Sequence, residues 1–167
     1  KKFIFCEYKQ FEKVVNQLHG RSFCVDHSTC SISNESIISS MFNIKSYTDP
    51  CYLMKSIKNS VEIKNMIDAH IKDGLAITKF IYWIKNTKHK KLTEISAQNK
   101  LEKFRKNNNE YLFPSFNTIA GSGSNGAIVH YRANRNSNKK IKKNDIFLCD
   151  SGGQYKYGTT DVTRTIC

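Results

Sequence analysis

Two aspartates, Asp150 and Asp161, bracket a Gly- and Tyr-rich turn in the stretch CDSGGQYKYGTTDVTRTIC, residues 149–167. Carboxylates at this spacing could fill out a calcium loop, hold a catalytic cation from adjoining strands, or lie solvated beside a turn. DSGGQYKYGTTD has the twelve-residue length of a calcium loop, but Gly152 and Gln154 occupy its third and fifth positions and Tyr155 replaces its central glycine. Most of the oxygen ligands are therefore missing. Strand periodicity gives a better account: Ile146, Leu148 and Asp150 share one face of IFLCD, and Asp161, Thr163 and Thr165 share one face of DVTRT. With a turn near Tyr157 and Gly158, both carboxylates can reach a common point. Two like charges there are costly unless one carries a proton or a cation sits between them. Hard carboxylate oxygens favour manganese, magnesium or zinc over copper or iron clusters. Spacing alone leaves the solvated reading open.

Upstream, GSGSNG matches G-x-G-x-x-G at Gly121, Gly123 and Gly126. A dinucleotide site needs a helix to open there, and the β-branched AIVHY follows instead, so the loop reads as a connection between strands. His130 lies in that second stretch, either packed against the sheet or available for chemistry.

These residues need elements to position them. KNSVEIKNMIDAHIKDGLAITKFIYWIKN is the strongest helical pattern, with Ile63, Met66, Ile67, His70, Ile77, Phe80, Ile81 and Ile84 on one stripe and Asn59 with Glu62 forming a capping box. On that stripe His70 reads as a packed histidine. Gly74 inside the helix costs about 1 kcal/mol relative to Ala, which implies a close packing neighbour. TEISAQNKLEKFRKNN gives a second helix capped by Thr93. From Phe113 onward SFNTIA, AIVHYRA, DIFLCDSGGQ and TTDVTRTIC read as strands, so helices are expected to cover one face of a sheet in an α+β arrangement. Before Pro50 the chain reads as helix (YKQFEKVVNQLHG), strand (SFCVDHST) and helix (SNESIISSMF, capped around Asn34 and Glu35), with a boundary at SYTDP because Pro50 cannot continue a helix.

The 167-residue chain carries 27 Lys and Arg against 14 Asp and Glu, a formal net charge of +13. The positive residues are scattered and lack interleaved aromatics, so they read as solvated loops and not as a nucleic-acid platform. The most apolar run, LAITKFIYWI, is interrupted by Lys79 and is too short to span a bilayer. Six cysteines without a CxxC pair read as buried free thiols in a reducing compartment.

The residues DSGGQYKYGTTDVTRT resemble the metal-binding segment of aminopeptidase P, the Xaa-Pro aminopeptidases of the pita-bread metallopeptidase superfamily. LMKSIKNSVEIKNMIDAHIKDGLA, LTEISAQNKLEKFR and FNTIAGSGSNGAIVHY match in the same order. The resemblance implies that residues 49–167 form the first half of a pita-bread catalytic domain, creatinase/aminopeptidase-like, and residues 1–48 the end of a smaller α/β middle domain. It assigns Asp150 to one metal, Asp161 as a bridge between two, and His130 to the substrate pocket as a catalytic and substrate-binding residue. It further implies two divalent ions, manganese or zinc, a bridging water activated as hydroxide, peptide substrates with proline second and a homodimer; the cytoplasmic setting is expected from the free thiols. One histidine and two glutamates of such a site would lie beyond Cys167, so residues 1–167 alone are expected to be inactive. Tyr157 stands where many members have Asp before the turn glycine, which implies a changed loop surface. A second reading is a pita-bread domain without catalysis that binds protein or nucleic acid.

Overall fold

The N-terminal helix is shorter than its sequence pattern. In the computed structural model, which describes residues 4–87 and 92–167, a 3-10 turn at Tyr8–Gln10 leads into α1 (Phe11–Val15), and the chain leaves the helix before Leu18, which is largely exposed. Strand β1 (Ser22–Val25) follows, then α2 (Ile32–Ser39). The cap of α2 is Ser31, whose hydroxyl accepts the Asn34 N–H, so this helix starts ahead of the Asn34 and Glu35 pattern. An unanticipated strand, β2 (Asn43–Ser46), pairs in parallel with β1. Val15, Val25 and Ile38 form the core, flanked by Phe11, Phe23, Phe42 and Ile44. Pro50 opens a helix, α3 (Pro50–Ser56), at the first helical position, where its missing N–H costs nothing; the Asp49 carboxylate caps it by accepting the Cys51 N–H at 2.8 Å. These elements make up the first of two compact units, Lys1–Ile57.

The second unit, Lys58–Cys167, begins with α4 (Ser60–Asn86). Its capping box is the expected one: Asn59 accepts from the Val61 and Glu62 N–H groups, and Glu62 accepts the Asn59 N–H. Its buried face differs from the expected stripe in the first half. Ala69, Asp73, Ala76, Ile77, Phe80 and Ile84 are buried, whereas Ile63, Ile67 and His70 are exposed, and His70 donates its Nδ1–H to the Met66 carbonyl. The cause is the closeness of the strand behind. A Cβ on Gly158 would lie 2.8 Å from that of Ala69, so this part of the helix presents small residues to the sheet and turns its large ones away. No atom lies within 4 Å of where a Gly74 Cβ would sit, so the close neighbour expected there is absent among the described residues.

Helix α5 (Glu94–Lys106) starts on Thr93, as expected, with Ser96 completing the cap. Five of the six remaining strands are Tyr111–Pro114 (β3), Ile119–Ser122 (β4), Phe147–Ser151 (β5), Gly153–Tyr155 (β6) and Gly158–Thr159 (β7); Val162–Ile166 (β8) is last. They form two three-stranded sheets, β3-β6-β7 and β4-β5-β8, antiparallel throughout. AIVHYRA is not a strand: Gly123–Ala127 is a 3-10 helix and a turn follows through His130. The core lies between α4, α5 and the second sheet, where Phe80, Ile84, Leu101, Ala120, Phe147 and Cys149 meet. Cys149 alone of the six cysteines is buried; all are free, and the other five are exposed or half-buried, contrary to the expected buried thiols. No described helix is long and apolar enough to cross a membrane.

Candidate metal centre

The alternation of β5 decides which way its residues face. Phe147, Cys149 and Ser151 point into the protein, which leaves Asp150 on the other side, half-buried. The ladder sets Asp150 opposite Ile119 of β4 and Thr163 of β8, and the Thr163 hydroxyl donates to Asp150 Oδ1 at 2.8 Å. Asp161 directly precedes β8 and is exposed, with no hydrogen bond or ion pair among the described residues. Both carboxylates line one cleft of about 410 Å³ together with His130, Arg132, Phe116, Asn117 and Ile119.

Between the aspartates the chain leaves one sheet for the other. Beyond Ser151 it enters the β6–β7 hairpin, whose two-residue turn holds exposed Tyr157. Gly152 is obligatory at the crossing, because a Cβ there would fall 2.0 Å from the Thr160 carbonyl oxygen and 2.2 Å from Ser115 Oγ. Strands on both flanks also rule out a calcium loop.

His130 reaches the cleft by an unusual backbone, with φ +53°, the only non-glycine positive φ among the described residues. Such a conformation persists where surrounding contacts over-determine it. They do so here through Tyr131, whose hydroxyl donates to buried Glu94 at 2.8 Å, and whose phenol burial pushes above the ordinary tyrosine pKa. Glu94 also accepts from the Ser122 N–H, Asn125 Nδ2 and the Lys139 N–H, gathering the loop that carries His130.

A second buried carboxylate lies behind the aspartates. Asp73 accepts from Arg105 Nε at 2.7 Å and Nη2 at 3.1 Å, from the Tyr155 hydroxyl at 3.0 Å and from the Thr160 hydroxyl at 2.8 Å. Burial alone would lower the Arg105 pKa, but the hydrogen bonds and charge of Asp73 outweigh it and leave the guanidinium above its usual value. Burial, then Asp73, raises Tyr155 above the ordinary phenol. Neither Glu94 nor Asp73 stood out in the sequence, since their partners come from distant segments.

Asp150, Asp161 and His130 are thus brought to one cleft. As a donor set, two carboxylates with unpaired oxygens suit a hard divalent cation. Among the described residues no group of three or more His, Cys, Asp or Glu side chains forms a metal-holding cluster.

The sequence pattern of metallopeptidase family M24 matches residues 64–167, and the chain belongs to that family. It is 44% identical over 119 residues to the Xaa-Pro aminopeptidase ApepP of Drosophila melanogaster, covering 70% of this chain and 19% of that protein. A probable Xaa-Pro aminopeptidase P of Sordaria macrospora is 45% identical over 115 residues, 67% of this chain and 19% of the relative. The chain therefore spans about a fifth of the length of these curated relatives. An X-prolyl aminopeptidase from Caenorhabditis elegans, described as a cytosolic enzyme with a di-nuclear active site, superposes with a TM-score of 0.83 at 30% identity over 95% of this chain and 27% of its own. The Xaa-Pro dipeptidase of Bacillus anthracis gives 0.77 at 25% identity, over 94% and 43%. The α+β fold is that of part of the pita-bread aminopeptidase P and prolidase enzymes.

Proposed function

We propose that the protein containing this chain is a metal-dependent aminopeptidase that removes an N-terminal residue linked to proline, with Asp150 and Asp161 as metal ligands and His130 in the substrate pocket. The observation that carries this reading is the convergence of the three side chains on one cleft, reached from β5, from the start of β8 and from a strained turn. Family membership and the Xaa-Pro aminopeptidases among the relatives support it.

Two divalent cations would be held here, Asp150 binding one and Asp161 bridging both; manganese fits the hard oxygen donors, with zinc as the alternative. When bound, such a pair supplies Lewis acidity toward the scissile carbonyl and a water of lowered pKa. The chain's own residues do the rest. Thr163 holds Oδ1 of Asp150 and so fixes the orientation of its carboxylate. His130 presents an exposed imidazole that can hydrogen-bond the substrate next to the scissile peptide, and Phe116 and Ile119 offer apolar surface to a pyrrolidine ring. Residues 1–48 belong, in this reading, to the end of a preceding α/β domain and residues 49–167 to the catalytic domain. Two carboxylates are too few to hold a metal pair, so residues 1–167 by themselves are inactive. The active protein is a homodimer in the cytoplasm; the cytosolic C. elegans neighbour supports that compartment.

The test is hydrolysis of an Xaa-Pro peptide by the full-length protein, with manganese, with zinc and with a chelator. Cleavage restored by metal is expected, and His130→Ala should lower kcat on the order of 10²-fold. Inactivity with every metal would sink the enzyme and favour a non-catalytic binding domain. Asp161→Ala should remove bound metal; unchanged stoichiometry would refute its role as a ligand.

A further inference from the structure

The β5–β8 ladder ends short of the second aspartate. Its last pair is Ser151 with Val162, so backbone register places Asp150 but not Asp161, which lies one residue past the end. Two side chains secure that open end from behind. Arg105 Nη2 donates to Ser151 Oγ at 3.1 Å, directly after Asp150, and the Thr160 hydroxyl donates to Asp73 Oδ2 at 2.8 Å, directly before Asp161. Asp73 and Arg105 are themselves locked in a two-point ion pair, and Tyr155 of the intervening hairpin donates to the same Asp73. Asp73, Arg105, Ser151 and Thr160 are each no more than 1% exposed, so the assembly is shut off from the cleft and cannot touch substrate. The backbone of Thr160 is held as well, its N–H by the Gly153 carbonyl and its own carbonyl by Ser115 Oγ.

We propose that Asp73 and Arg105 are positioning residues that set the separation of Asp150 and Asp161, acting through Ser151 and Thr160. This rests on the reading of the two aspartates as metal ligands. The spacing needed to share a metal pair is then imposed by helices α4 and α5 and not by the sheet alone. Groups that orient metal ligands from behind typically contribute 10–100-fold to metal affinity.

The experiment titrates Mn²⁺ alone into the metal-free full-length protein by calorimetry, for the parent, Thr160→Val, Thr160→Ser and Ser151→Ala, with the melting temperature of each metal-free form. Thr160→Val should weaken Mn²⁺ binding 10–100-fold, and Thr160→Ser, which keeps the hydroxyl, should bind like the parent. A merely structural role would lower the metal-free melting temperature of Thr160→Val and leave its affinity alone, and that result overturns the proposal. Failure of Thr160→Ser to restore affinity overturns it too. Should Thr160→Val not fold, Ser151→Ala decides: it keeps the ion pair and severs the Arg105 link, together with the Ser151 hydrogen bond to the inward-facing Cys149 thiol; weaker Mn²⁺ binding supports the proposal, and parental affinity refutes it. A parent that binds no Mn²⁺ at all overturns the ligand assignment itself, a result separate from variants that match a metal-binding parent.

Discussion

Asp73 and Glu94 are both fully buried carboxylates in the second unit, and they are accommodated in opposite ways. Asp73 has a cation: the Arg105 fork meets it at two points, and two hydroxyls complete its shell. Glu94 pairs with no cation among the described residues; two backbone N–H groups, one amide and one phenol serve it, and it is the first residue of α5, where the helix dipole favours negative charge. The difference follows the work each does. Asp73 ties a rigid hairpin to two helices, so one strong pair suffices. Glu94 gathers the 122–139 loop, whose N–H groups and side chains are spread along the chain, so its charge is shared among weak donors. Dependence on a single partner should therefore be severe at Asp73 and mild at Glu94.

Arg105→Met puts that contrast to its hardest test. Removing the guanidinium leaves Asp73 charged, buried and held by two hydroxyls alone, and such uncompensated charges cost about 3–5 kcal/mol. Urea denaturation of the full-length protein should show a loss of this size. A loss below about 1 kcal/mol would mean that Asp73 tolerates burial as Glu94 does, and the contrast would fail.

Raising the pH probes the same region. Cys149 lies on the inward face of β5, and burial pushes its thiol from 9.0 up to about 11, the nearby Arg105 opposing only in part. The folded state thus keeps a proton that the unfolded chain releases. Stability is complete below pH 9 and declines as pH rises toward 11, by about 1.4 kcal/mol per unit and approaching about 3 kcal/mol. The buried phenols of Tyr111, Tyr131 and Tyr155, also raised chiefly by burial, steepen the decline at still higher pH. Cys149→Ala should remove the part that begins near pH 9. If urea midpoints of parent and variant fall in parallel between pH 8 and pH 10, the thiol is not the group responsible.

At Glu94 the corresponding deletion is Tyr131→Phe. It removes one of several donors, and a hydrogen bond to a charged acceptor contributes about 2 kcal/mol. The variant should lose about that much stability, less than Arg105→Met, and its effect on peptide hydrolysis should exceed its effect on metal binding, since it loosens the turn of His130. Equal losses in the two variants would erase the distinction between a concentrated and a shared charge.

The parts of this architecture readable in sequence are those with local causes. Asn59 with Glu62 and Thr93 with Ser96 cap helices within four residues, and the alternation of β5 put Asp150 on the face away from Cys149. His130 was legible as a candidate but not as a strained turn, because β-branched neighbours suggest a strand, while the turn is closed by the Tyr131 N–H on the Ile128 carbonyl and anchored through Tyr131 on the distant Glu94. Asp73 was invisible: its donors stand 32, 82 and 87 positions away, and nothing nearby separates it from a solvated aspartate. The first half of α4 misled for a related reason. Large apolar residues marked a stripe there, while the actual contact surface is the small Ala69 against Gly158.

Gly74, next to Asp73 on α4, carries the smallest expected effect. Its sequence context implied a neighbour too close for a side chain, yet a Cβ added there meets nothing within 4 Å, and its φ lies outside the left-handed region. The glycine therefore costs the helix backbone entropy without permitting any contact among the described residues. Gly74→Ala should raise stability by about 1 kcal/mol. Because the added methyl group meets neither Asp73 nor Arg105, the substitution should also leave the Arg105→Met penalty unchanged when the two are combined, the gains and losses adding. A destabilised Gly74→Ala in the full-length protein would mean that another part of the polypeptide packs against this face of α4, and α4 would then be held from both sides.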